Sequence, residues 1–249
     1  MVRSVIREVL ALYRRLFRPL TLATALIFLP FGIALLALEL AVPDSQSTQQ
    51  SIAIIEVVGS LLLFAPLASI VVIRSAMAAE NDEPLTFRQA MGDAFGLLPT
   101  YVITQLLVLL VIIALPGLLI VGGWISGSQL MLTLGLGTLL GSAILNGVRL
   151  GVATVSVVTG DAQMAPALRH SAQVTRGRYW AVLGVIVVFS LMAFAVALVF
   201  SSIGLAAPAG VANSIAGAVV SVITNALTVP LIALGTYRLY RRLQDAKRA

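Results

Sequence analysis

Two acids interrupt otherwise apolar runs: Glu39 near the end of the run Leu20 to Val42, and Glu56 near the start of the run Ser51 to Ile73. An ionisable side chain within a membrane span marks a functional site by default, as a proton carrier or a cation ligand. A short turn joins the two runs, so the carboxylates could face one another, and like-charge proximity would then raise one pKa. The competing reading is interfacial: both acids lie within about one or two turns of a run's end at 1.5 Å per residue, from where a side chain reaches water cheaply. A second polar set comprises Asn146 and Arg149 in the run Leu130 to Leu150, with Asn225 and Thr228 in the run Val211 to Leu234. Such groups hydrogen-bond across packed helices, or else line a cavity in which Arg149 partners an anion. The third set is basic: Arg169, His170, Arg176 and Arg178, followed by Trp180. On a helix lying along a membrane, with Met164, Leu168 and Ala172 toward the acyl chains, it forms a stripe at headgroup depth. Its readings are orientation and anchoring, or a specific site for phosphate or anionic lipid.

Other chemistries are excluded or weak. The chain has no cysteine and one histidine, which removes disulfides, thiolate metal sites and a cysteine nucleophile. No Walker, HExxH or GxSxG motif occurs. The acidic group Glu80, Asp82, Glu83 and Asp93 does not have EF-hand spacing and reads as a solvated helix entry. We therefore expect no metal, no cofactor and no enzymatic activity.

These groups must be positioned by spans. Of 249 residues, 59% are hydrophobic and 10% charged, with a mean hydropathy of +1.04, against roughly 25% charged in a soluble domain. Six apolar runs reach spanning length: the four above with Tyr101 to Gly122 and Ala181 to Ser202. All 16 Lys and Arg lie in alternate segments: five in the N-terminal arm, two in the first inner loop, four around the second and five in the tail. The connections Pro43 to Gln50, Gly123 to Gln129 and Ile203 to Gly210 carry none. The positive-inside rule then puts both termini in the cytoplasm of a plasma, bacterial inner, membrane. Tyr13, Tyr101, Tyr179, Tyr237 and Tyr240 join Trp180 at inner span ends, with Trp124 outside, as an aromatic belt requires. The first run and its charged lead are too long for a cleavable signal. A net charge of +6 so disposed describes a surface for anionic headgroups rather than for nucleic acid.

The inner segments have helical patterning of their own. Val2, Val5, Ile6, Val9, Leu12, Leu16 and Phe17 alternate with arginines at helical spacing. Thr86 with Gln89 predicts a capping box opening a helix near Phe87. Asp161 is a candidate cap for a helix from Met164 to Arg176, stopped by Gly177. The expected fold is thus all-α: six transmembrane helices with three amphipathic interfacial helices on the cytoplasmic face, in one domain. A three-fold hairpin repeat, with units of about 2–77, 78–157 and 158–249, would fit this layout. Pro30, Pro66, Pro116 and Pro230 fall inside runs and invite kinks. Gly137 with Gly141, and Gly147 with Gly151, have the GxxxG spacing of close helix packing, within the chain or in a homo-oligomer.

The stretch Ala167-Leu168-Arg169-His170-Ser171-Ala172-Gln173-Val174-Thr175-Arg176-Gly177-Arg178-Tyr179-Trp180 resembles the segment before the fifth span in the glycerophosphoryl diester phosphodiesterase membrane-domain family and its free-standing bacterial relatives. Leu85-Thr86-Phe87-Arg88-Gln89-Ala90 and Leu115-Pro116-Gly117 are similar too, so the resemblance spans most of residues 80 to 200. It implies a polytopic membrane module without the catalytic barrel, which six spans leave no room for. The expected role is a non-enzymatic module interacting with anionic lipid or a protein partner. The alternative is a small-molecule or lipid transporter using Glu39 and Glu56, or the Asn146, Arg149 and Asn225 region.

Overall fold

The computed structural model describes residues 1–41, 46–205 and 211–248, with side chains throughout except at 46–48, 203–205, 211–213 and 248. Of the connections expected at 43–50 and 203–210, residues 43–45 and 206–210 lie outside the described residues, whereas 46–50 and 203–205 are helical. Those residues are overwhelmingly helical and contain no strand. In order they form α1 (Val2–Ala41), α2 (Gln46–Gly59), a π turn (Ser60–Phe64), α3 (Ala65–Glu80), α4 (Phe87–Ser126), α5 (Gln129–Leu150), α6 (Ala153–Val158), α7 (Met164–Thr175), α8 (Tyr179–Leu205) and α9 (Val211–Arg248). Six helices among the described residues are long and apolar enough to cross a membrane. Large apolar side chains such as Leu118, Trp124, Ile125 and Leu140 point outward, as they do where lipid is the solvent.

Of the three separate surface helices expected from the sequence, only α7 stands apart. α1 and α4 are each one 40-residue helix, running through Pro19 and Pro99 respectively, about 60 Å long. The third break exists because Gly177 adopts φ +80° with open space around it, a conformation that costs glycine little. The expected capping box is present: Gln89 N donates to Thr86 Oγ1, and Thr86 N donates to Gln89 Oε1 at 2.9 Å. Pro66 explains the π turn before it, since a proline ring clashes with the carbonyl four residues back and a widened turn relieves this.

The described chain forms two compact units, one of Met1–Val2, Pro99–Ile186 and Thr236–Ala249 and one of Arg3–Leu98 and Val187–Gly235. In the second unit, Val5, Val9, Leu20 and Phe28 of α1 are buried, as are Ile70, Val71 and Ile73 of α3 and Leu234 of α9. Phe31 stacks on Phe64 with centroids 4.3 Å apart, and Tyr13 donates to the Leu227 carbonyl at 3.1 Å. Arg74 pairs with Asp93 at 3.6 Å. In the first unit, α4 and α5 approach closely at Gly123 and Gly135, where an added Cβ would lie 2.8 Å from Leu132 N and 2.7 Å from Ile120 Cγ1. Of the GxxxG glycines, only Gly151 is closely packed, a Cβ there standing 2.6 Å from the Gly147 carbonyl oxygen and 3.4 Å from Ile186 Cδ1, while a Cβ at Gly137, Gly141 or Gly147 would meet nothing within 4 Å.

Candidate functional site

The second unit contains a cavity of about 610 Å³ lined by α1, α2, α8 and α9. Glu39 and Glu56 both line it, and each accepts a hydrogen bond from a serine of α9: Ser214 Oγ donates to Glu39 Oε1 at 2.8 Å, and Ser221 Oγ to Glu56 Oε1 at 3.2 Å. The serines are seven positions apart, so they share one face of α9, two turns apart. Asn225 continues that face, its Nδ2 donating to the Ser221 carbonyl at 2.9 Å. Phe28 and Phe31 add an aromatic wall, and among the described residues no Lys or Arg lines the cavity. Gly32 is needed where α1 meets α9, because a Cβ there would stand 2.8 Å from Val222 Cγ2.

Thr228, also in the second unit, donates to the Thr224 carbonyl at 2.8 Å, whereas Asn146 and Arg149 belong to the first unit and do different work. Pro116 has no N–H, so the Ile112 carbonyl four residues earlier lacks its helical donor. Ser142 Oγ of α5 supplies one at 2.8 Å, and Asn146 Nδ2 donates to Ser142 Oγ at 3.0 Å. Asn146 thus supports helix packing. The Arg149 carbonyl, at the open C-terminal end of α5, accepts from Ser171 Oγ at 2.7 Å. The Arg149 side chain lines a cavity of about 660 Å³ with Arg176, Gln173, Thr175, Tyr179 and Trp180 among its neighbours.

The basic stripe divides in the same unit. Arg176 and Trp180 line the cavity that Arg149 lines, whereas Arg169 and His170 line a separate one of about 420 Å³. Arg178 turns away from both, its Nη2 donating to the Ala246 carbonyl of α9 at 3.0 Å. His170 is engaged with Tyr240, Nε2 to Oη 2.9 Å.

That last contact belongs to a network the sequence did not disclose. Tyr240, fully buried, donates its one hydroxyl proton to Asp161 Oδ2 at 2.8 Å. With that proton so committed, the His170 contact is satisfied when Nε2 carries a proton and donates to the Tyr240 oxygen. Gln244 Nε2 donates to the same oxygen at 2.9 Å and to Asp161 Oδ2 at 3.1 Å, and Thr159 Oγ1 also donates to Asp161 Oδ2. Desolvation alone would raise the Asp161 carboxyl, but the donors Thr159, Tyr240 and Gln244, with His170 nearby, outweigh it and hold it below the ordinary carboxylate value. The expected cap role of Asp161 is corrected: α7 begins at Met164, so Gln163 occupies its cap, without a side-chain cap bond, and Asp161 Oδ2 accepts from Tyr240 and Gln244 of α9 instead.

Among the described residues, no group of three His, Asp or Glu side chains is placed to hold a metal ion. The chain matches no family model, no curated protein and no solved structure.

Proposed function

We propose that this is a polytopic plasma-membrane protein that binds a small organic cation in the cavity of α1, α2, α8 and α9 and lets it pass, as a transporter or permease. The observation that carries the reading is the lining: two carboxylates, serine hydroxyls and an asparagine amide, against an aromatic wall, with no basic side chain among the described residues. In a low-dielectric setting two acids without a counter-charge attract cations strongly, and ring faces add to that attraction. The cavity favours solute handling over a purely interacting module. In this proposal α7 lies along the cytoplasmic headgroups, and the arginine-rich start of α1 and the first turns of α4 continue their spans past the bilayer on the same side, with both termini inside. The motifs at 85–90 and 167–180 support membership of the free-standing branch of the phosphodiesterase membrane-domain family, without a reaction of its own.

The absence of cysteine makes a direct experiment available. Ser221→Cys in vesicles of either orientation should react at least tenfold faster with a cationic methanethiosulfonate than with an anionic one, relative to their rates with free thiol. Adding Glu56→Gln should abolish most of that preference. A carrier exposes the thiol alternately, so reaction is expected from both sides of the membrane. Reaction from one side only would refute passage, and equal rates for the two reagents would refute cation selectivity.

A further inference from the structure

We infer that the first unit holds a phosphate group between Arg149 and Arg176, in the cavity at the ends of α5 and α7 and the start of α8. This is independent of the acidic cavity and of the solute proposed for it. Arg149 and Arg176 come from different helices, 27 positions apart, yet line one cavity of about 660 Å³, a volume suited to a small ligand or a lipid headgroup. Both side chains are exposed, and among the described residues no carboxylate pairs with either. The unit is short of acids: it has nine Lys and Arg against Asp161 and Asp245, and Asp161 is already committed to Tyr240 and Gln244. Two planar guanidinium forks are suited to the oxygens of a phosphate monoester or diester, which they bind bidentately. The positive end of α8, which begins at Tyr179 in the cavity wall, is offset by the negative C-terminal ends of α5 and α7, so the attraction for an anion comes from the two guanidinium groups. Gln173 provides a neutral amide, and Leu145 and Ala172 give an apolar side against which a glycerol or the first acyl carbons can lie. Trp180, 80% exposed at the rim, is the residue type that settles at headgroup depth.

The phosphate could belong to an anionic lipid or to a soluble ester, and the test separates them. The full-length protein would be studied by native mass spectrometry from nanodiscs containing equal amounts of phosphatidylglycerol and phosphatidylcholine, and in detergent by 31P line broadening of glycerol 3-phosphate. Retained phosphatidylglycerol identifies the lipid, and broadening of glycerol 3-phosphate identifies the soluble ester. In either case the R149Q/R176Q variant should bind at least tenfold more weakly, since loss of one charge-assisted contact already amounts to roughly that factor. R149K/R176K, which keeps charge but loses the fork, should fall between. R169Q, in the neighbouring cavity, should bind as the parent does. Unchanged thermal unfolding of each variant shows that the fold is intact. Equal binding by the parent and R149Q/R176Q, or no binding of either phosphate by the parent, overturns the inference.

Discussion

Tyr240→Phe is the substitution that most cleanly tests the network joining α7, α9 and the loop at Asp161. It keeps the ring and its packing and removes one oxygen that takes part in three hydrogen bonds, to Asp161, His170 and Gln244. A hydrogen bond to a charged group is worth about 1.5–3 kcal/mol where it is shielded. Asp161 sits at the surface and can recruit water once the hydroxyl is gone, so about 1 kcal/mol is the appropriate share for that bond. The other two partners can also rehydrate in part, contributing about 0.5 kcal/mol each. The expected loss is therefore about 2 kcal/mol, which for a chain of this length corresponds to a fall in Tm of roughly 4–8 °C.

The pH dependence gives a second, independent readout. The folded Asp161 carboxyl titrates below its ordinary value, which is about 3.9 in an unfolded chain. The unfolded state thus takes up the proton first, so this contribution is full above about pH 4 and is lost as pH falls through the lower folded value. Removing the Tyr240 donor raises the folded value toward the unfolded one, so Tyr240→Phe should flatten the acid side of the stability curve. Differential scanning fluorimetry of the detergent-purified protein between pH 3 and 8 measures both effects. Asp161→Asn combined with Tyr240→Phe should cost less than the two separate losses together, because they share a bond. A fall in Tm under about 1 °C with strict additivity would refute the network.

Further outcomes follow from single contacts. Ser142→Ala should cost about 0.6–1.7 kcal/mol, the range for hydrogen bonds between membrane helices, and almost nothing in a Pro116→Ala background, where residue 116 regains an N–H for the Ile112 carbonyl; thermal unfolding of the four combinations decides it. Gly235→Ala would place a Cβ 2.7 Å from Phe189 Cδ2 and should cost about 1–3 kcal/mol, with recovery when Phe189 is shortened to Leu. Gly177→Ala meets no neighbour, so its cost of about 1–2 kcal/mol is that of the left-handed backbone alone, and no second substitution nearby should rescue it. Thr86→Ala removes the capping box at about 1 kcal/mol, which should appear as faster hydrogen exchange confined to the first turn of α4.

The spans were legible because membrane solvation requires about 20 consecutive apolar residues, and Glu39 and Glu56 were legible because they interrupt those runs. Their partners were not: a serine in a membrane helix usually bonds to its own backbone, as Thr138 and Ser202 do here, so nothing local singles out Ser214 and Ser221. Asn146 was misleading for a related reason. Its role depends on Pro116 depriving a carbonyl of its donor on one helix and on Ser142 supplying it from the next, 30 residues along the chain. Asp161 looked like a cap because it precedes a helix, and only contact with Tyr240, 79 positions away, shows the carboxylate to be used elsewhere.

Arg176 and Arg178 show how one backbone angle can redirect two similar side chains. In sequence they belong to one basic stripe, and on a continuous helix residues two apart already point about 200° from each other. Here Gly177 between them adopts φ +80° and ends the helical path altogether. Arg176 is left at the last turn of α7, beside Arg149, while Arg178 opens α8 and reaches the Ala246 carbonyl near the end of α9. A cation at a helix C-terminus is stabilised by the negative end of the peptide dipole, so Arg178 has a structural reason to be basic that involves no ligand. Arg176, the cap just past the last turn of α7, shares that dipole stabilisation but makes no side-chain hydrogen bond or ion pair among the described residues. The glycine thus separates a tether from a binding group, and removing the Arg178 charge should loosen the end of α9 without weakening phosphate binding.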